Sequence, residues 1–100
     1  MAGTDIQLDE KIKVVVSEPK RWKVILLNDD STPMDFVISM LMEVFKHTAD
    51  TAKEVMLEVH ESGSGIAGIY SFEIAEAKAV ETTNQARTNN HPLQIKLEEE

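Results

Sequence analysis

The stretch that most constrains this chain is LNDDSTPMDF, Leu27 to Phe36. The run Trp22-Lys23-Val24-Ile25-Leu26-Leu27 stops there at an amide and two adjacent carboxylates. Its β-branched, apolar character predicts a strand buried on much of both faces. Thr32-Pro33-Met34-Asp35 then predicts a helix start. Thr32 suits the N-cap, Pro33 the first helical position and Asp35 the third, beside the helix's positive end. A strand must hand over to a helix between Asn28 and Thr32, and one Asn or Asp bonding its own backbone is enough for such a turn. Asn28, Asp29 and Asp30 exceed that need, which leaves at least one carboxylate without a structural reason.

Beyond this junction, Phe36 to Phe45 is apolar nearly all round and predicts a heavily buried helix. A second helix is predicted from Thr48 to His60, with Ala52, Val55, Met56, Val59 and His60 sharing one face. Ser62-Gly63-Ser64-Gly65 ends it. Ile66 to Tyr70 follows as a strand, in which Gly68 marks a bulge or a close backbone approach. Ser71 can cap a third helix reaching Asn89, and Pro92 lies just past its end. Leu93 to Leu97 alternates as a half-exposed strand, and Glu98-Glu99-Glu100 reads as a solvated tail. The order β-α-α-β-α-β predicts a two-layer α+β sandwich, a three-stranded antiparallel sheet covered by three helices. Residues 1–20 stand apart as a flexible N-terminal arm, whose Val14-Val15-Val16 patch could adhere to the body or to a partner. The core domain is then 21–100.

Composition narrows the function. A chain of 100 residues with 42% hydrophobic and 28% charged side chains is one soluble globular domain. It has no cysteine, which excludes disulfides, thiolate metal sites and cysteine nucleophiles. A net charge of -8 with scattered Lys and Arg argues against a nucleic-acid partner, since that affinity depends on basic groups displacing counterions. Val24 to Leu27, the longest apolar stretch, cannot span a bilayer, and no apolar segment of a secretory signal opens the chain. A cytoplasmic monomer without membrane contact is expected.

Few side chains could carry chemistry. For an isolated Asn-Asp-Asp, turn formation is the commoner explanation. His60 is either a satisfied core histidine or an acceptor in a pocket. His47, His60 and His91 lack metal-ligand spacing, so neither a metal nor another cofactor is expected. Ser62 and Ser64 lack the strand-turn-helix setting of a nucleophile, and Gly63 to Gly68 lacks the Lys of a phosphate loop. No catalytic residue is therefore assigned. Met34, Met40, Met42 and Met56 pack a core or line a pocket for large side chains.

From Trp22 to Leu97 the chain resembles the ClpS family, adaptors that hand N-degron substrates to a Clp AAA+ unfoldase. The resemblance rests on the strand with LNDDSTPMDFV, on MLEVHESGSG, on IAEAKA and on NNHPLQIKLEE, in the family's order and spacing. It implies that Asn28, Asp29 and His60 hold the free N-terminus of a protein whose first residue is bulky. Thr32, Met34, Val37, Met40, Met56, Val59 and Leu93 would surround that residue's side chain, with Met34 helping to exclude β-branched ones. Glu73 and Lys78 would dock the N-terminal domain of a ClpA-like or ClpC-like unfoldase, and the arm would assist delivery. Two positions depart from the family: Ser31, where a Tyr or similar is common, makes the pocket rim smaller, and Ala77 removes a hydroxyl from the docking helix.

The implied chemistry is sound in itself. An α-ammonium brings three donors and is mostly charged at neutral pH. Asp29, the Asn28 carbonyl and neutral His60 can accept them. An internal residue would leave those acceptors desolvated and unpaired, at a cost of about 1–3 kcal/mol each. The alternatives are a hydrolase built on Asp29 and His60, which lacks a nucleophile, and a factor-recruiting domain like the ribosomal stalk protein's C-terminal domain. The latter shares the element order but uses a lysine-rich surface that is missing here.

Overall fold

The computed structural model describes residues 19–100. Apart from Pro19 and Lys20, the arm expected at 1–20, with its valine patch, lies outside the described residues. Strand β1 (Arg21–Leu27) runs between β2 (Ser64–Ser71) and β3 (Gln94–Glu99), antiparallel to both, in the order β2-β1-β3. Helices α1 (Met34–Glu43), α2 (Ala49–Ser62) and α3 (Phe72–Thr88) complete the β-α-α-β-α-β order and the two-layer α+β sandwich. No described helix is long and apolar enough to cross a membrane.

Strand β1 is not buried on both faces. Val24 and Leu26 are fully enclosed, but Lys23, Ile25 and Leu27 are only half buried. Successive side chains of a strand point to opposite faces. Val24 and Leu26 join the single core formed with the helices, each contributing about 1.5–3 kcal/mol by burial. The other face carries Lys23–Glu98 and Lys96–Glu98 ion pairs at 3.8 and 3.3 Å. Nor are the last three residues a free tail. Glu98 and Glu99 extend β3, the Glu100 N–H donates to the Arg21 carbonyl at 2.9 Å, and Lys20 meets Glu99 at 3.0 Å. The basic residues at the start of β1 attract them across the strands.

Gly68 serves both expected purposes. The β1–β2 register shifts between Val24, opposite Gly68, and Ile25, opposite Ile66, so Ala67 bulges. A Cβ on Gly68 would also collide with the Tyr70 ring. His47 braces this irregularity from the α1–α2 connection: its Nε2 donates to the Ala67 carbonyl at 2.6 Å.

Helix α1 starts one residue later than expected and ends earlier. Pro33 is its N-cap, without a side-chain capping bond, and Asp35 sits in the first turn. Val37, Met40 and Leu41 are buried while Ser39, Met42 and Glu43 are exposed, so one side of the helix packs rather than its whole circumference. Its last carbonyls, which lack helical partners, are met by a cation. Lys78 Nζ donates to the Val44 carbonyl at 2.7 Å and lies 5.3 Å from the Tyr70 ring centre and 5.9 Å from that of Phe45.

Helix α2 starts as predicted, its Thr48 hydroxyl accepting from the Thr51 N–H at 3.2 Å. It ends on Gly63 in the left-handed conformation (φ 89°), which a residue without Cβ adopts freely. Helix α3 packs through small side chains, with Ala75, Thr82 and Ala86 buried. Ser71 takes its N-cap position, but the hydroxyl makes no capping bond.

Candidate functional site

The polar turn after β1 is organised by Asp29. Its Oδ1 accepts the N–H groups of Ser31 (2.8 Å) and Thr32 (2.7 Å), and its Oδ2 accepts the Thr32 hydroxyl at 2.7 Å. Thr32 therefore does not cap α1, as its sequence position predicts. Its hydroxyl donates to Asp29 and accepts no helix N–H among the described residues, because Pro33, not Thr32, takes the N-cap position. Burial alone would raise the Asp29 pKa. The Thr32 hydroxyl, the two backbone donors and the charge of His91 outweigh it and hold the carboxyl below its ordinary value of 3.8. A carboxylate has roughly four acceptor positions, so Oδ2 keeps one to spare. Asp30 makes no side-chain hydrogen bond among the described residues and is exposed. The structural role falls to Asp29.

One backbone bond assembles the rest. The Asn28 N–H donates to the Gly63 carbonyl at 2.9 Å, tying the end of β1 to the residue that terminates α2. This brings His60, in the last turn of α2, to the same opening as Asn28. His60 is exposed instead of packed with Met56 and Val59, and neither its ring nor the Asn28 side chain has a hydrogen-bond partner among the described residues. Asn28, Asp29, Asp30, Thr32, Met34, Met56 and His60 enclose a mouth of about 250 Å³. Beneath it lies a smaller cavity lined by Leu27, Asn28, Asp29, Thr32, Val37, Met56, Val59 and Leu93. At ≈ 10 Å³ it has room for one water.

The polar trio Asn28, Asp29 and His60 is thus brought together, over a floor of Val37, Met56, Val59 and Leu93. Met34 stands at the rim, 43% exposed. Met40 lines neither cavity. It is enclosed in the core at 1% exposure, because it lies one helical turn beyond Val37 on the same buried face. Glu73 and Lys78 lie apart from the mouth, on α3. Sequence reasoning missed Leu27 and Asp30 as lining residues. Their place beside the polar break was the available signal.

Three acceptors above an apolar floor suit a cationic head with an apolar tail. The one hydroxyl lining either cavity belongs to Thr32, and it donates to Asp29 within the turn. Among the described residues no cluster of His, Asp and Glu could hold a metal ion.

The family model described as "ATP-dependent Clp protease adaptor protein ClpS" matches residues 17–96, and the chain belongs to the ClpS family. Among its relatives, the ClpS adapter protein of Wolinella succinogenes is 44% identical over 97 residues, 97% of this chain and 95% of that one. The ClpS of Campylobacter jejuni is 54% identical over 85 residues, 85% of this chain and 88% of that one. The solved structure of Agrobacterium tumefaciens ClpS2 bound to L-phenylalaninamide superposes with a TM-score of 0.80 at 41% identity, covering 83% of this chain and 100% of the other.

Proposed function

We propose that this protein is an adaptor, not an enzyme, that binds proteins beginning with a bulky hydrophobic residue (Leu, Phe, Tyr or Trp) and delivers them to a Clp AAA+ unfoldase. The observation that carries this reading is the meeting of Asn28, Asp29 and His60 above the Val37–Met56–Val59–Leu93 floor. The ligand of the related ClpS2, L-phenylalaninamide, has the free α-amine and apolar side chain of an N-terminal residue. In our reading the ammonium sits at the mouth. Asp29 offers the spare position of Oδ2 and a full negative charge, while the Asn28 carbonyl and His60 accept the other hydrogens.

The side chain points at the floor, where a benzene-sized group needs about 150 Å³. The floor is too closed to admit one as it stands. Met56 and Met34, unbranched and adaptable, are the side chains that would swing aside. Burying a Leu or Phe there adds about 1.5–3 kcal/mol. Glu73 and Lys78 of α3 are assigned to unfoldase docking. Glu73 is exposed and available for direct contact, whereas Lys78 is half buried against Val44.

The test is a titration of peptides that differ only in residue one, each with an N-acetylated control. Leu and Phe peptides should bind at about micromolar Kd or tighter, and acetylation should abolish binding. Affinity should also fall above about pH 8, as the peptide's ammonium loses its proton. Equal affinity for free and acetylated peptides would sink the proposal.

A further inference from the structure

The Asp29–Thr32 turn walls a second hollow as well. Asp29, Asp30 and Thr32 line the mouth, whereas Ser31 lines a neighbouring hollow of about 550 Å³ with Arg87, Asn90, His91, Pro92 and Gln94. The two differ sharply in chemistry. The mouth holds two carboxylates, and the second hollow holds none, in a chain with 18 acidic residues and a net charge of -8. All its polar side chains can donate a hydrogen bond, and one is a permanent cation: Arg87, with His91, the amides of Asn90 and Gln94, and the Ser31 hydroxyl.

The cationic wall is also held in place. Arg87 Nη1 donates to the carbonyls of His91 and Leu93, both at 2.8 Å, which anchors the guanidinium. Those bonds use both Nη1 hydrogens, so the donors of Nε and Nη2 remain, and among the described residues no carboxylate pairs with Arg87. His91 packs edge-on against Phe36 with ring centres 4.6 Å apart. An anchored guanidinium with unused planar donors is a preferred receptor for a carboxylate.

We infer that this hollow is a second subsite, which takes an Asp or Glu side chain carried a few residues behind the N-terminal residue of a bound protein. The inference rests on the proposed reading of the mouth and extends it from the first residue to those that follow. A chain leaving the mouth advances about 3.3–3.6 Å per residue. Its second residue is still beside Asp29 and Asp30, where a carboxylate is repelled. Crossing the turn at Ser31, whose short side chain offers little obstruction, brings a later residue to Arg87 and His91. The preference for acid therefore changes sign along the peptide.

The test uses a neutral reference peptide, Leu followed by alanines, and versions with Glu or matched Gln at positions two to five, measured by fluorescence anisotropy. At low salt, Glu at position two should bind more weakly than Gln. At one of positions three to five it should bind about threefold to fivefold tighter. That gain should fade at about 0.5 M salt. Gln94→Glu, which puts a carboxylate in the hollow without touching the Arg87 bonds, should abolish or reverse the gain and leave the reference peptide unchanged. Arg87→Gln should reduce it too. A Glu/Gln ratio near one at every position, with the reference peptide bound normally, overturns the subsite alone. A gain that persists in both variants overturns it as well. If the reference peptide and its acetylated form bind alike, the reading of the mouth fails and the subsite with it.

Discussion

Asp29 combines two duties that no neighbour combines. It accepts three hydrogen bonds that shape the turn, and it places a negative charge at the mouth. The two separate by substitution. Asp29→Ala removes the acceptors and should cost about 1–2 kcal/mol in urea unfolding. Asp29→Asn keeps one carbonyl acceptor, and the Thr32 hydroxyl can turn to accept from the new amide. Stability near pH 7 should fall less in this variant, while affinity for a Leu peptide should drop about tenfold or more. Wild-type affinity in Asp29→Asn would show that its charge does not serve the ligand. The same pair reports on acid stability. The folded Asp29 pKa lies below 3.8, so its contribution is complete above that value and is lost as pH falls through the lowered one. Wild type should therefore lose stability below about pH 4 more steeply than Asp29→Asn.

At the scale of elements, α3 shows how a helix can be both packed and available. Its buried side is built of Ala75, Thr82 and Ala86, which let it lie close to the sheet, while Phe72, Ile74 and Val80 are exposed. The Thr82 hydroxyl is fully buried with no hydrogen-bond partner among the described residues. Thr82→Val keeps the shape and removes an unsatisfied group, so the protein should gain about 1 kcal/mol. A lower Tm in that variant would show that the hydroxyl has a partner in solution. Lys78 links α3 to the end of α1 through the Val44 carbonyl and the Phe45 and Tyr70 rings. Lys78→Met retains the stem and loses the ammonium, and should cost about 1–2 kcal/mol by thermal melting. An unchanged Tm would leave Lys78 free for docking alone. Glu73→Gln is the cleaner probe of unfoldase binding, since exposed Glu73 makes no side-chain hydrogen bond or ion pair among the described residues.

At the scale of the whole molecule, one core joins β1 to all three helices, and the mouth forms where β1 and α2 end. Binding there should stabilise the entire domain. A Leu peptide at a hundred times its Kd should add about 2.7 kcal/mol and raise Tm by about 10 °C or more. The acetylated peptide should leave Tm where it was. A shift of equal size from both would place binding away from the mouth.

Much was legible where the physics is local. Thr48 caps its helix through an N–H three residues on, Gly63 ends one by its own dihedral freedom, and Gly68 marks a bulge because no Cβ fits beside Tyr70. The order of elements and the surplus of polar groups after Leu27 follow from the same short-range chemistry, and the ClpS resemblance adds which of those groups to compare. What the sequence could not decide was who meets whom across the fold. That β1 is covered on one face depends on where the helices settle. That Asp29 gathers the turn while Pro33 rather than Thr32 takes the N-cap depends on how the chain enters α1. That Met40 faces the core, that His60 is exposed beside Asn28, and that Ser31 shares a hollow with Arg87 and His91 all rest on contacts between distant segments. The bond from Asn28 to Gly63 is the plainest case: it spans two elements, and no periodicity or propensity encodes it.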